Sequence, residues 1–231
     1  MTERENKMIY VMSDIHGNRE KLDSLLRQIG LTDSDTLYIL GDIVDRGPEP
    51  IEILQRVMKM KNVKMLLGNH EHMMLQAYFG MCKPEEHEKC VARWHRNGCE
   101  VTMAGLDRLS ETQRKEIFDF VTSLPINIET EVNGKKYLLV HGYPAELYKG
   151  SEPPYSDEVF FAVWYRMKPE DVMPEGKTVI FGHTSTDNYQ DVMPNSIFYG
   201  NRMIGIDCGG GYGGDGRIAC LRLDDMKEFY S

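Results

Sequence analysis

The chain has 231 residues, with 27 Lys and Arg against 36 Asp and Glu, a formal net charge of −9. At 41% apolar residues it can build a sizeable core, which excludes global disorder, and its acidity argues against a nucleic-acid polymer as partner. No apolar run approaches the ~18 residues that span a bilayer, so no membrane is expected. The start, MTERENK, has no signal-like stretch. Five cysteines without a CxxC pair are expected to be reduced thiols of a cytoplasmic protein. The length fits one large domain, or one domain with a small cap, and the absence of a separating linker favours a single domain over 1–231.

In chain order, Met8–Asp14 predicts a buried strand. Asn18 reads as a cap before a helix with Leu22, Leu25, Leu26 and Ile29 at helical spacing, stopped by Gly30. Thr36–Asp42 is a second strand, Pro48 and Pro50 open a second helix, and Val63–Asn69 is a third strand. This β-α-β-α-β run predicts parallel pairing. Residues about 71–123 read as a helical insert, with a capping box at Ser110 and Gln113. Asn133-Gly134 then joins two strands as a hairpin. A helix over Val159–Arg166 follows, and then strands at Thr178–His183, Met203–Asp207 and Arg217–Leu223. The fold class is α/β.

Five predicted strands run into the same kind of residue. They lead to Asp14-x-His16, to Gly41-Asp42-x-x-Asp45-Arg46-Gly47, to Gly68-Asn69-His70-Glu71, to His141-Gly142 and to Gly182-His183. Ligands of α/β sheets gather beyond the carboxyl ends of strands. Oxygen and imidazole donors without thiolates suit divalent Mn, Fe or Zn. Their number suggests two ions. One can take Asp14, His16 and Asp42; the other can take Asp42, Asn69, His141 and His183. A bridging carboxylate at Asp42 would hold the ions ~3.5–4 Å apart, able to activate a shared water and clamp a phosphoryl group. His70, one residue past a ligand, can face the site as general acid, with Asp45 fixing its tautomer. Arg46 offers a fork for phosphate oxygens. A single Asp or His after a strand is more often a turn residue than a ligand; the ordered set outweighs that reading.

These motifs resemble those of the phosphoprotein phosphatase family of calcineurin-like metallophosphoesterases, in its bacterial and phage serine/threonine form. The resemblance implies a four-layer α/β/β/α sandwich of two mixed sheets with two metal ions, manganese foremost. It carries over the ligands Asp14, His16, Asp42, Asn69, His141 and His183, with Asn69 also touching substrate. It assigns catalysis to His70, Asp45 and Arg46. Trp164-Tyr165-Arg166 is similar to the setting of a second phosphate-binding arginine, Arg166. Trp94–Gly98 is similar to a segment of the bacterial relatives in which a glycine stands where this chain has Cys99.

The activity expected is hydrolysis of phosphoserine or phosphothreonine in proteins, or of a small phosphorylated substrate. A dinucleoside polyphosphate hydrolase is the alternative, and an inactive phosphopeptide-binding module is disfavoured by the full residue set. Cys82, Cys90, Cys99, His72, His87 and His95 fit no common zinc spacing. Gly209–Gly216 reads as a loop rather than a phosphate cradle, with Tyr212 on the rim of the site. The 15 methionines read as core filling.

Overall fold

A computed structural model describes residues 7–150 and 155–231. Two five-stranded sheets stack face to face. The first has the order β10-β9-β1-β2-β3, from β1 (Ile9–Met12), β2 (Thr36–Ile39), β3 (Val63–Met65), β9 (Ala219–Arg222) and β10 (Lys227–Tyr230). The second has the order β4-β5-β6-β8-β7, from β4 (Asn127–Val132), β5 (Lys135–Val140), β6 (Thr178–Phe181), β7 (Phe198–Gly200) and β8 (Met203–Gly205). In the first sheet β1, β2 and β3 are parallel. In the second, β5, β6 and β8 are parallel. Each sheet carries antiparallel edge strands.

Side-chain alternation along the strands builds the layers. Val11, Tyr38, Leu40 and Leu66 face inward and meet Tyr137, Leu139, Ile180 and Ile204 of the other sheet. Tyr10, Met12, Leu37 and Ile39 face outward against α1 (Arg19–Ile29), α2 (Pro50–Val57) and α3 (Asn69–Ala77). Leu138, Val140, Val179 and Phe181 face the opposite outer layer, where Phe161 of α7 (Glu158–Trp164) packs. The result is an α/β/β/α sandwich. Seven methionines, Met12, Met65, Met73, Met74, Met167, Met173 and Met203, lie buried within these layers.

The insert is helical, with α3 leading into α4 (His87–Arg96), α5 (Glu100–Asp107) and α6 (Glu111–Thr122). Ser110 caps α6. Its Oγ accepts from Gln113 N at 3.3 Å, and Gln113 Oε1 accepts from Ser110 N at 3.0 Å. Ser110→Ala is expected to destabilise the protein by about 1 kcal/mol, read as a lowered urea midpoint at constant slope. The β4–β5 hairpin closes on Asn133 (φ 52°) and Gly134 (φ 75°), the left-handed pair that a two-residue loop of this type requires.

Some elements differ from the sequence reading. Asn18 makes no cap bond. Its amide donates instead to Ile15 O, His16 O and, at 3.1 Å, Gly210 O, tying the first strand-end loop to the glycine-rich one. The strands stop earlier than their apolar runs, because the chain leaves the ladder to form the loops at the sheet ends. Leu67 N, for example, bonds Pro125 O rather than β2. Edge strands β7 and β10, three and four residues long, are too short to carry a strand signal.

Candidate metal centre

The carboxyl ends of β1, β2, β3, β5 and β6 converge where the two sheets meet. Asp14, His16, Asp42, Asn69, His70, His141 and His183 are all buried there. The backbone is strained at this point. Asp14, His16, Asp42, Asp45, Arg46 and His183 all have positive φ, between 45° and 71°, although none is glycine. Each costs of order 1–3 kcal/mol and persists only where surrounding bonds over-determine it. Two glycines permit the close approach. A Cβ on Gly68 would meet Asp42 Oδ1, and one on Gly182 would meet Ser13 Oγ and Asp14 Oδ2.

Asp42 sits centrally, each of its two oxygens beside a different imidazole. Oδ2 lies 3.6 Å from His16 Nε2, and Oδ1 lies 3.5 Å from His141 Nε2. Asp14 Oδ1 is 3.9 Å from His16 Nε2. Two trios with mutually close donor atoms share this carboxylate, His16–Asp42–His70 and Asp42–His141–His183. Asn69 Oδ1 lies 2.9 Å from both His141 Nε2 and His183 Nδ1.

The outer bonds of the imidazoles decide which nitrogen looks inward. His16 Nδ1 donates to Val44 O at 2.9 Å, His141 Nδ1 to Leu40 O at 2.7 Å, and His183 Nε2 to Trp164 O at 3.2 Å. Each inward nitrogen then carries a lone pair; those of His141 and His183 face Asn69 Oδ1, and that of His16 accepts from Arg46. Backbone carbonyls behind imidazoles are the usual support of a metal ligand. Burial pushes the carboxyls of Asp14 and Asp42 well above the usual range, and neighbouring carboxylates add to it, Asp207 and Asp42 for Asp14 and Glu71 for Asp42. Burial also holds His16, His70 and His183 well below their ordinary value. A divalent ion offsets both effects, since it stabilises carboxylates and takes imidazole lone pairs. The donor set therefore fits a binuclear site, with Asp42 placed to be shared.

His70 turns Nδ1 to Asp45 Oδ2 at 2.6 Å, and its Nε2 lies 3.9 Å from Asp42 Oδ2. Burial pushes Asp45 up to about 7, against hydrogen bonds from Thr102 and Trp94 that lower it. Arg46 donates to His16 Nε2 and to His70 Nε2, both at 3.0 Å, and its guanidinium lies 4.6 Å from the Tyr212 ring centre. Arg46 thus covers the two imidazoles rather than standing apart from them. Arg166, two residues past α7, reaches His183 O at 3.3 Å and lines the same hollow as Asp14, Asp42 and His70.

Three contributors escaped the sequence reading. Glu71, fully buried, accepts Asp42 N and Ile43 N at 2.8 Å, and Val44 N and Gly68 N at 3.2 Å. It ties the ends of β2 and β3 together. Glu71→Gln turns an NH2 toward two of these donors. The expected loss is on the order of 3 kcal/mol, measured by urea unfolding; an unchanged midpoint would remove Glu71 from this role. Trp94 is the second. Its Nε1 donates to Asp45 Oδ2 at 2.8 Å, while Arg46 N bonds Gly98 O and Asp45 N bonds Thr102 Oγ1. The helical insert therefore buttresses the Asp45-Arg46 turn. Asp207 is the third, buried beyond β8 and lining the hollow. Its signal was available, since it ends an apolar run as the other site residues do.

Comparison with known proteins decides the family. Residues 7–202 match the calcineurin-like phosphoesterase family. The chain belongs to that family. Among curated relatives, the symmetrical bis(5'-nucleosyl)-tetraphosphatase of Paracidovorax citrulli is 32% identical over 135 residues, covering 58% of this phosphoesterase and 43% of the relative. That of Salmonella agona is 38% identical over 76 residues, 32% of this chain and 27% of the relative. The matched segments thus span less than half the length of these relatives. Among solved structures, a candidate diadenosine tetraphosphatase aligns over 100% of this chain and 95% of its own, with TM-score 0.61 and 20% identity. A serine/threonine phosphatase of Saccharomyces cerevisiae aligns over 97% and 79%, with TM-score 0.57 and 15% identity. These likenesses show the fold. No helix among the described residues is long and apolar enough to cross a membrane.

Proposed function

We propose that this phosphoesterase hydrolyses phosphoanhydrides of dinucleoside polyphosphates at a dinuclear centre held by Asp14, His16, Asp42, Asn69, His141 and His183. The observation that carries the metal-dependent chemistry is Asp42, whose two oxygens face two imidazole groups. The substrate class is supported by the curated relatives, which are named tetraphosphatases for nucleosyl substrates. This favours the alternative of the sequence reading over its first choice of phosphoproteins.

Two divalent ions, manganese foremost with iron and zinc compatible, would supply Lewis-acid activation of water and of the phosphoryl group. The chain's own residues do the rest. Arg46 and Arg166 bind non-bridging phosphate oxygens, Arg46 exchanging its imidazole bonds for the substrate. His70 gives a proton from Nε2 to the leaving oxygen. Asp45, held by Trp94, keeps the His70 Nδ1 proton in place and stabilises the imidazolium.

Phosphoserine or phosphothreonine in proteins is the second reading. The observation in its favour is Arg166 at the hollow, in a Trp-x-Arg setting that resembles that of the phage phosphatases. Diadenosine tetraphosphate and a phosphoserine peptide, assayed side by side with Mn²⁺, separate the two. The proposal expects the dinucleotide to be preferred by at least tenfold in kcat/KM. Preference for the peptide would overturn it in favour of the second reading. Chelation should abolish either activity and Mn²⁺ should restore it.

A further inference from the structure

Beside the catalytic hollow lies a cavity of about 490 Å³, between the segment that follows β6 and the glycine-rich loop that follows β8. Arg166 and Tyr212 line both spaces, so a molecule held at the hollow can extend into the cavity without leaving the protein surface. The two spaces share Arg166 and Tyr212 and differ in the rest of their lining. The hollow adds Arg46 for phosphate, with the carboxylates Asp14, Asp42 and Asp207 of the metal site. The cavity is lined by Asp187 and Asp215, with the amides of Asn188 and Asn195.

Those amides present acceptors. Asn188 Nδ2 donates to Ser185 O at 2.8 Å and Asp187 Oδ1 at 3.0 Å, and Asn195 Nδ2 donates to Asp215 O at 3.2 Å. Their amide oxygens, and the second carboxylate oxygen of Asp187, accept no bond from the described residues. Arg166 apart, the side chains of this wall are acceptor-rich, with two carboxylates, and complement a group that donates hydrogen bonds. The Tyr212 ring, half exposed, adds a flat surface at the junction. A ribose diol with a base that bears an amino group has this chemistry, and the volume accommodates a nucleoside.

We infer that this cavity is the subsite for a nucleoside of the substrate, with the ribose hydroxyls on Asp187 and Asp215 and the base against Asn188, Asn195 and Tyr212. The inference rests on the proposed function and specifies which part of the protein reads the nucleoside. Arg166 marks the boundary where the phosphate chain gives way to the sugar.

The test is inhibition of p-nitrophenyl phosphate hydrolysis by ADP and by pyrophosphate, on the Mn²⁺-loaded protein. The two inhibitors share a diphosphate and differ by the nucleoside. ADP is expected to inhibit at least tenfold more tightly. Asp187→Leu and Asp215→Leu, both at exposed positions, are each expected to close that gap by about tenfold, the size of a hydrogen bond to a charged group. Their thermal melts check the fold. Equal inhibition by ADP and pyrophosphate in the wild type would overturn the inference, as would a gap that both folded variants retain. Tighter inhibition by a phosphopeptide with a neighbouring arginine than by ADP would also overturn it, assigning the acidic wall to a basic side chain. If the gap is present but diadenosine tetraphosphate is not hydrolysed, the proposed function fails while the nucleoside subsite stands.

Discussion

His70→Asn is expected to slow hydrolysis of alkyl phosphates by roughly 10²–10⁴-fold, the usual worth of a positioned general acid. The loss should be much smaller on p-nitrophenyl phosphate, because a nitrophenolate leaves without a proton and a serine alkoxide does not. A nucleoside diphosphate is also a stabilised leaving group, so the dinucleotide should behave more like the aryl ester. Metal content should stay at the wild-type value, since the proposed ligand set does not include His70, whose Nδ1 is bound to Asp45 at 2.6 Å. Asp45→Asn should follow the same pattern more weakly. Equal losses on alkyl and aryl substrates at full metal content would mean that His70 acts elsewhere than on the leaving oxygen. Loss of metal would make it a ligand.

Arg46→Ala is expected to cost on the order of 10²-fold or more in kcat/KM on every substrate, as removal of a donor to developing charge generally does. Arg46 is the nearest guanidinium to His16 and His70, and Tyr212 holds it there. The loss should appear in kcat as well as KM, because the fork binds the equatorial oxygens most tightly as their charge grows. Arg166→Ala should lose a comparable factor. An unchanged rate for Arg166→Ala would remove Arg166 from the phosphate grip and leave Arg46 in place. A loss confined to KM in Arg46→Ala would reduce Arg46 to a ground-state contact.

Much of the fold and of the site was legible because strand ends are marked twice. Asp14, Asp42, Asn69, His141 and His183 each follow an apolar run, and all but Asp14 have a glycine beside them, which is where a buried strand must leave the sheet. The same marks predict the parallel run of β1, β2 and β3. Gly30 as a helix stop and Asn133-Gly134 as a hairpin loop are legible because left-handed backbone narrows the choice of residue. What stayed hidden depends on contacts distant in sequence. Glu71 reads as the next helical residue, and only the fold brings four backbone N–H groups to it. Trp94 is noted only as part of a segment similar to the bacterial relatives, and its bond to Asp45 spans 49 positions. Asn18 reads as a cap because caps are local, whereas its amide serves a loop 192 residues away. Arg46 reads as a phosphate fork, and its bonds to His16 and His70 could not be told from spacing.

Asp42, as a carboxylate shared between two ions, is the centre of the proposed chemistry. Anomalous scattering from crystals grown with Mn²⁺ measures this. Two peaks ~3.5–4 Å apart are predicted, one beside Asp14 and His16 and the other beside Asn69, His141 and His183, with Asp42 touching both. Asp42→Asn should lose both peaks or reduce them to partial occupancy. A single peak that Asp42 does not touch, or no peak at saturating Mn²⁺, would contradict the account.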